Sequence, residues 1–424
     1  MSSITLDHVS PVWPHYTHII ASRAEGCYIY DQSGIPYLDF TCGIAVTNTG
    51  HCHPRVVEAI RKQAGLLIHG QVNILLHEPL LALIDELRTI VHPTLDGFFF
   101  SNSGAEAIEG AMKLARHATG KTNIIVFQGS FHGRTVGTMS LTTSKTIYRV
   151  GYQPLMPGVF VAPYPYSYRY GWSDEQTSQW CLDELEFLLT TQTAPEETAA
   201  ILVEPVLGEG GYVVPPASFL QGLREVCDRH GILLIFDEIQ SGLGRTGRWF
   251  AHEHFGVVPD IITVAKALAS GLPISGVFSR LELMEKWTPG SHGGTFGGNA
   301  IAAAAGVATL QAMKEENMLA NAQERGRQLM DGLRQIQIEF PVIGDVRGLG
   351  LMVGTEFRTH EGKPDKTTAK AVGHACLDEK LLLLTCGPWD NTVRWIPPLI
   401  VTGAQIDEAL SIFRGALQNI TGKE

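Results

Sequence analysis

Six short apolar runs, interleaved with stretches of helical periodicity, constrain this chain more than any other feature. The runs at 97–101, 123–127, 199–204, 232–237, 261–264 and 274–278 are rich in Ile, Val, Leu and Phe and are bounded by turn-forming residues. Between them, 105–117 and 218–230 carry apolar residues at helical spacing. Strands that are apolar on both faces need cover on both faces. The pattern therefore predicts an α/β fold with a mostly parallel central sheet in a large domain and helices on each side of it. With 424 residues, 44 % of them hydrophobic, the chain can fill a sizeable core and is long enough for roughly two to three domains.

The pattern changes after this sheet. An Ala-rich helix at 299–314 and a second helix at 318–339 are read as leaving the large domain. Strand-like segments at 342–347, 351–357, 382–384 and 393–396 then alternate with helices at 366–380 and 404–418, an α+β small domain. Near the N-terminus, 26–31 and 36–40 flank a Gln32-Ser33-Gly34 turn and form a hairpin assigned to the small domain. The division predicted is 1–60 as an N-terminal segment of the small domain, 61–317 as the large domain and 318–424 as the small one.

Charge and cysteine usage narrow the partners. A net charge of −11 and the lack of a Lys/Arg cluster along any helix argue against nucleic acid. Residues 1–14 have no basic region followed by an apolar run, and no apolar stretch reaches the ~18 residues of a membrane span, so a soluble cytoplasmic enzyme is expected. Seven scattered cysteines without a C-x-x-C pair fit reduced thiols. His51-Cys52-His53 and His252-Glu253-His254 lack ligand spacing, and no metal is expected.

Two residues carry the chemistry. Asp237 ends the run 232–237, at the carboxyl edge where α/β sheets place ligands, and could serve a cationic ring nitrogen or simply cap a helix. Lys266 follows the run 261–264 and is directed inward among small residues, where desolvation lowers an amine's pKa and frees it as a nucleophile; the alternative is an exposed Lys at a strand end. Ser103-Gly104-Ala105 lies between a strand and a helix, as an anion site or an ordinary N-cap. Gly293-Gly294-Thr295-Phe296-Gly297-Gly298 suits close approach of an anion, or is a flexible loop. The aromatic segment 163–172 covers an entrance, lies at a subunit seam, or packs as a surface loop.

The order Ser-Gly-Ala, Phe-His-Gly-Arg, Glu-Pro-Val-x-Gly-Glu-Gly-Gly, Asp-Glu-Ile-Gln-Ser-Gly, Ala-Lys and Gly-Gly-Thr-Phe-Gly-Gly-Asn resembles the class III aminotransferases over nearly the whole chain. That resemblance implies a fold-type I enzyme, a homodimer or dimer of dimers with active sites at the subunit interface, and pyridoxal 5'-phosphate as cofactor. By matching motif, Lys266 would hold the cofactor as a Schiff base, Asp237 would bond its ring nitrogen, and Ser103, Gly104 and Ala105 would hold its phosphate. Phe131 or His132 would cover a ring face, Gln240 would lie near the ring hydroxyl, Glu204 would join the cofactor-binding set, and Thr295 would reach the neighbouring subunit's phosphate. Arg394 matches the arginine for an α-carboxylate, Glu209 its alternative partner, Arg134 a second arginine for a distal carboxylate, and Ile44 a pocket wall. The alternatives are ordinary ion pairs for the three charged residues and loop packing for Ile44. The motifs resemble 4-aminobutyrate aminotransferases most, which implies an ω-amino-acid donor and 2-oxoglutarate as acceptor. Acetylornithine or ornithine aminotransferases and epimerases of the same fold are the alternatives.

Overall fold

The computed structural model describes residues 8–422. The first seven positions of the 1–60 segment and the last two of the 318–424 segment lie outside the described residues. Three sheets organise the chain. The N-terminal strands are β1 (Ala21–Glu25), β2 (Tyr28–Asp31) and β3 (Pro36–Asp39). The large sheet comprises β4 (Gly97–Ser101), β5 (Asn123–Phe127), β6 (Val159–Ala162), β7 (Thr198–Val203), β8 (Leu233–Asp237), β9 (Ile261–Val264) and β10 (Ser275–Ser279). The C-terminal strands are β11 (Ile343–Leu349), β12 (Met352–Phe357), β13 (Leu381–Leu382), β14 (Leu384–Cys386) and β15 (Thr392–Trp395).

The seven strands follow the order β4-β10-β9-β8-β7-β5-β6. Only β10 runs against its neighbours, so the other six share one direction and one carboxyl edge. The α/β architecture and mostly parallel sheet read from the sequence are borne out. Period-two burial explains the double cover: Ile124, Val126, Leu202 and Ile235 pack under helix Gly104–Thr119, while Ile125, Phe127, Ile201, Leu234 and Phe236 pack on the other face against Leu185, Phe219 and Leu223. Each such side chain contributes roughly 1.5–3 kcal/mol on burial.

The central sheet departs from the sequence reading at one edge. Strand β6 was missed although Val159-Phe160-Val161-Ala162 is a continuous apolar run; the run is only four residues long, and its half-exposed pattern suits an edge strand.

Beyond the sheet, helix Ala300–Glu315 stays with helices Pro54–Ala64 and Glu78–Arg88, burying Ala302, Ala303 and Leu310 against Val56, Leu80 and Leu83. Only Met318–Glu339 leaves, to pack on β11 and on helix Gly403–Thr421. Helix Pro54–Ala64 also runs through the boundary drawn at 60 and packs with the large sheet's helices.

The segment 382–384 is not one strand: β13 pairs in parallel with β3, Leu381 opposite Leu38, whereas β14 pairs with β15 in the sheet β11-β12-β15-β14. A four-Leu run carries no turn residue to mark that change of sheet. Cys27, Leu38 and Phe40 share a core with Leu329, Phe357, Val372, Trp395 and Phe413, which ties the N-terminal hairpin to the C-terminal strands.

Candidate active site

Because six strands end on the same edge, the turns after β4, β5, β7, β8 and β9 meet there. They enclose a cavity of about 330 Å³ lined by Ser103, Gly104, Ala105, Phe131, His132, Glu204, Asp237, Gln240 and Lys266, among others. The size suits a small ligand.

Lys266 begins a short 3-10 turn after β9 with φ of 28°, a left-handed value that costs strain for a side-chain-bearing residue and so marks a position held by its surroundings. Its remaining exposed surface faces the cavity that it lines. Burial lowers the amine's pKa below the usual lysine value, while Asp237 and Glu204 pull it the other way.

Asp237 is 4 % exposed at the end of β8. One carboxylate oxygen bonds His132 Nδ1 at 2.8 Å, and the other accepts from the Ile239 N–H at 3.0 Å. His132 Nε2 is buried without a partner among the described residues. Since His132 is tied to this carboxylate, Phe131 is left as the candidate to cover a ring face.

At the other end of the cavity, Ser103 caps helix Gly104–Thr119: its side chain accepts from the Glu106 N–H, and Glu106 closes a capping box. That leaves the first-turn N–H groups of Gly104 and Ala105 without an intrahelical acceptor, at a positive dipole end facing the cavity. A Cβ at Gly133, whose φ is 133°, would lie 2.5 Å from Thr138 Oγ1 and 2.9 Å from Ala105 Cβ, so only glycine lets this loop approach the helix start.

Glu204 does more to shape the site than to bind within it: its oxygens accept from the Phe131 and Gly208 N–H groups, each at 2.8 Å, clamping two loops together. Burial raises its pKa. Gln240 Oε1 accepts from the Tyr212 hydroxyl at 2.8 Å. Free N–H groups at a helix start, a buried carboxylate and an amine lining one cavity fit a phosphate-bearing pyridine aldehyde.

A second group of charges lies beside this cavity and acts on Lys266. Glu209 accepts from Arg394 Nη1 at 3.1 Å through one oxygen, and from Lys145 Nζ and the Tyr148 hydroxyl, each at 2.9 Å, through the other. Burial would raise the Glu209 pKa, but Arg394 and Lys145 outweigh it and hold the carboxyl below its usual range. Arg394 is 6 % exposed, and its Nε has no partner among the described residues. Arg134 is exposed; its guanidinium lies 4.4 Å from the centre of the Tyr148 ring, and among the described residues no carboxylate pairs with it.

Thr295 and Ile44 stand apart. Thr295 is exposed and does not line the cavity, and Ile44 is 40 % exposed within a left-handed turn, leaving Val46 to form that wall. The aromatic segment 163–172 is no lid: Tyr164 is buried against the Glu204 carbonyl and Tyr166 bonds Glu356 of β12, so the segment joins the two cores.

Sequence reading missed Lys145, Tyr148 and Val46. The first two sit in a polar loop without a motif, and their common partner lies 64 and 61 residues away. Among the described residues no group of three or more potential ligands is placed to hold a metal ion, and no helix is long and apolar enough to cross a membrane.

A fold of this kind with a cofactor-sized cavity between a lysine and a buried aspartate defines an enzyme dependent on pyridoxal phosphate. The chain matches the family described as aminotransferase class-III over residues 9–417. It is similar to the 4-aminobutyrate aminotransferase GabT of Escherichia coli, 44% identical over 93% of this chain and 92% of that protein. It is similar also to the 5-aminovalerate aminotransferase DavT of Pseudomonas aeruginosa, 41% identical over 93% of this chain and 92% of that one. A solved amine transaminase from an uncultivated Pseudomonas species, in its pyridoxal-phosphate-bound form, matches with a TM-score of 0.90 at 28% identity over 99% of both chains. The chain belongs to the class III aminotransferases, and pyridoxal phosphate is its cofactor.

Proposed function

We propose that this enzyme transfers the amino group of an ω-amino acid, 4-aminobutyrate or a homologue, to 2-oxoglutarate in a ping-pong cycle. The observation that carries the reading is the Glu209–Arg394 contact at 3.1 Å. An ω-amino acid brings only CH₂ next to the reacting nitrogen, and Glu209 then neutralises Arg394. A buried guanidinium with nothing opposite would be costly. Glutamate and 2-oxoglutarate bring a carboxylate to that position, where Arg394 can receive it in place of Glu209. The names of the two relatives, one acting on 4-aminobutyrate and one on 5-aminovalerate, support the same class of donor.

Pyridoxal phosphate, when bound, supplies a carbonyl that bonds amines and a ring that accepts the electron pair left by a departing proton. The protein's residues do the rest. The Gly104 and Ala105 N–H groups with Ser103 hold the phosphate, and Asp237, steadied by His132, keeps a negative charge at the ring nitrogen. Lys266, whose amine burial favours in its neutral form, would hold the cofactor's carbonyl and would take the proton from the reacting carbon. Arg134 receives the distal carboxylate.

We take the working unit to be a pair of chains or a pair of such pairs. Support comes from exposed Leu66, Ile68, Ile74, Leu76 and Phe296 clustered near Thr295, with Phe296 packed on His69, a surface apt for burial against a second copy.

The test is a donor panel at fixed 2-oxoglutarate, read as glutamate formed. A higher kcat/KM for 4-aminobutyrate or 5-aminovalerate than for N-acetylornithine or ornithine is expected. A preference for the acylated donor, or turnover of an amino acid without any keto acid, would overturn the reading.

A further inference from the structure

Glu209 has three donors, and only one of them is Arg394. We propose that Lys145, backed by Asp390, is the resting point for Glu209 when Arg394 is taken by a substrate α-carboxylate, and is thereby a specificity-determining positioning residue. The inference rests on the Glu209–Arg394 exchange set out under Proposed function.

The carboxylate is divided between two tasks. Its Oε2 meets Arg394 through a single contact at 3.1 Å, whereas Oε1 is held by Lys145 and Tyr148, each at 2.9 Å. Release from Arg394 breaks one contact and keeps two. The backbone has no part in the change, because the Glu209 carbonyl accepts from the Gly387 N–H at 2.8 Å and the neighbouring Gly208 N–H is fixed on Glu204 at 2.8 Å. Rotation of one side chain suffices.

Charge balance explains why a lysine is needed. The Glu209 side chain is 14% exposed, too buried to stand free of a cation. Lys145 also bonds Asp390, whose second oxygen accepts from Lys366 Nζ at 2.8 Å. Arg394, Glu209, Lys145, Asp390 and Lys366 thus alternate in sign from the buried site to the surface. When an α-carboxylate pairs with Arg394, Glu209 remains paired with Lys145; when it is absent, Lys145 retains Asp390. Each charge has a partner in both states. Tyr148 belongs to the same turn, and burial followed by Glu209 pushes its pKa up to about 12, so its hydroxyl stays a donor. Arg134 rests on the Tyr148 ring, which puts one short turn in touch with both carboxylate-binding arginines.

The experiment uses the cofactor-loaded enzyme. Half-reactions with L-glutamate and with 4-aminobutyrate are followed by cofactor absorbance, and glutarate binding by calorimetry, in Lys145→Met, Lys145→Arg, Asp390→Asn and Glu209→Ala. Lys145→Met should raise the glutamate KM about tenfold more than the 4-aminobutyrate KM, and weaken glutarate binding by a like factor, as expected for loss of a charge-assisted hydrogen bond. Lys145→Arg should recover most of the difference. Asp390→Asn should act in the opposite direction, lowering the glutamate KM relative to 4-aminobutyrate, because Lys145 then turns wholly to Glu209; this variant decides the matter if Lys145→Met does not fold. Equal changes for both donors, or unchanged glutarate affinity in Lys145→Met, would overturn the proposal. If Glu209→Ala penalises 4-aminobutyrate more than glutamate while the Lys145 variants do not discriminate, only the role of Lys145 fails. If Glu209→Ala does not discriminate either, the exchange itself fails.

Discussion

The two ends of the site are built on opposite plans. At the cofactor end, Lys266, Asp237 and the Gly104–Ala105 N–H groups come from the turn after β9, the end of β8 and the start of a capped helix, and Asp237 is held by His132, the Ile239 N–H and the Thr263 hydroxyl. At the substrate end, Arg134, Lys145, Glu209, Asp390 and Arg394 come mostly from loops of both cores, and Glu209 has three exchangeable donors. A group bound through the whole cycle is served by rigid strand ends. On the proposed function, substrates that differ in where they carry a carboxylate would be served by charges able to change partners. Permanence and exchange would thus be separated in the fold, and Glu204 clamps the loop after β5 to the loop after β7.

This comparison can be broken in order of effect. Lys266→Ala should abolish turnover while the protein still folds, as measured by steady-state glutamate formation and circular dichroism; residual activity near the parent rate would remove the rigid end from the account. Asp237→Asn should lower kcat on the order of a hundredfold or more. A loss on that scale confined to KM would instead make Asp237 a binding group. Glu209→Ala should be milder and selective, reducing kcat/KM about tenfold more for 4-aminobutyrate than for glutamate. Equal losses would show that the loop end is as fixed as the strand end.

The smallest effect concerns pH. The Lys266 amine has a pKa below 10.5 because burial opposes its charge, while Asp237 raises it. The neutral, reactive amine therefore accumulates at lower pH than in an ordinary lysine. Cofactor uptake by apoenzyme, followed by absorbance, should rise with pH to an inflection below 10.5. Asp237→Asn removes a charge that favours the ammonium, so its inflection should move lower still. A move to higher pH would mean that Asp237 is not acting on this amine.

The rigid end was also the legible end. Strands β4, β5 and β9 begin and end where their apolar runs do, since a strand buried on both faces leaves an unbroken signature. Asp237 ends one such run and Lys266 stands two residues after another, so their convergence follows from parallel strands sharing an edge. The loop end was legible only through motifs. Nothing local in Ser144-Lys145-Thr146 distinguishes a lysine that pairs with Glu209 from one in water, because the contact depends on how two distant loops fold back. Likewise the left-handed turn that turns Ile44 outward, with positive φ at Cys42, Ile44 and Ala45 as well as Gly43, has only one glycine to announce it. The split between β13 and β14 was hidden for the same reason: four leucines fit either sheet equally well.

The central claim is that the amine bonding the cofactor belongs to Lys266. Borohydride reduction of the holoenzyme, followed by digestion and mass spectrometry, tests it most directly. A single pyridoxyl-modified peptide containing Lys266, lost in Lys266→Ala, is the predicted result. Modification at another lysine, persisting unchanged in that variant, would contradict the account.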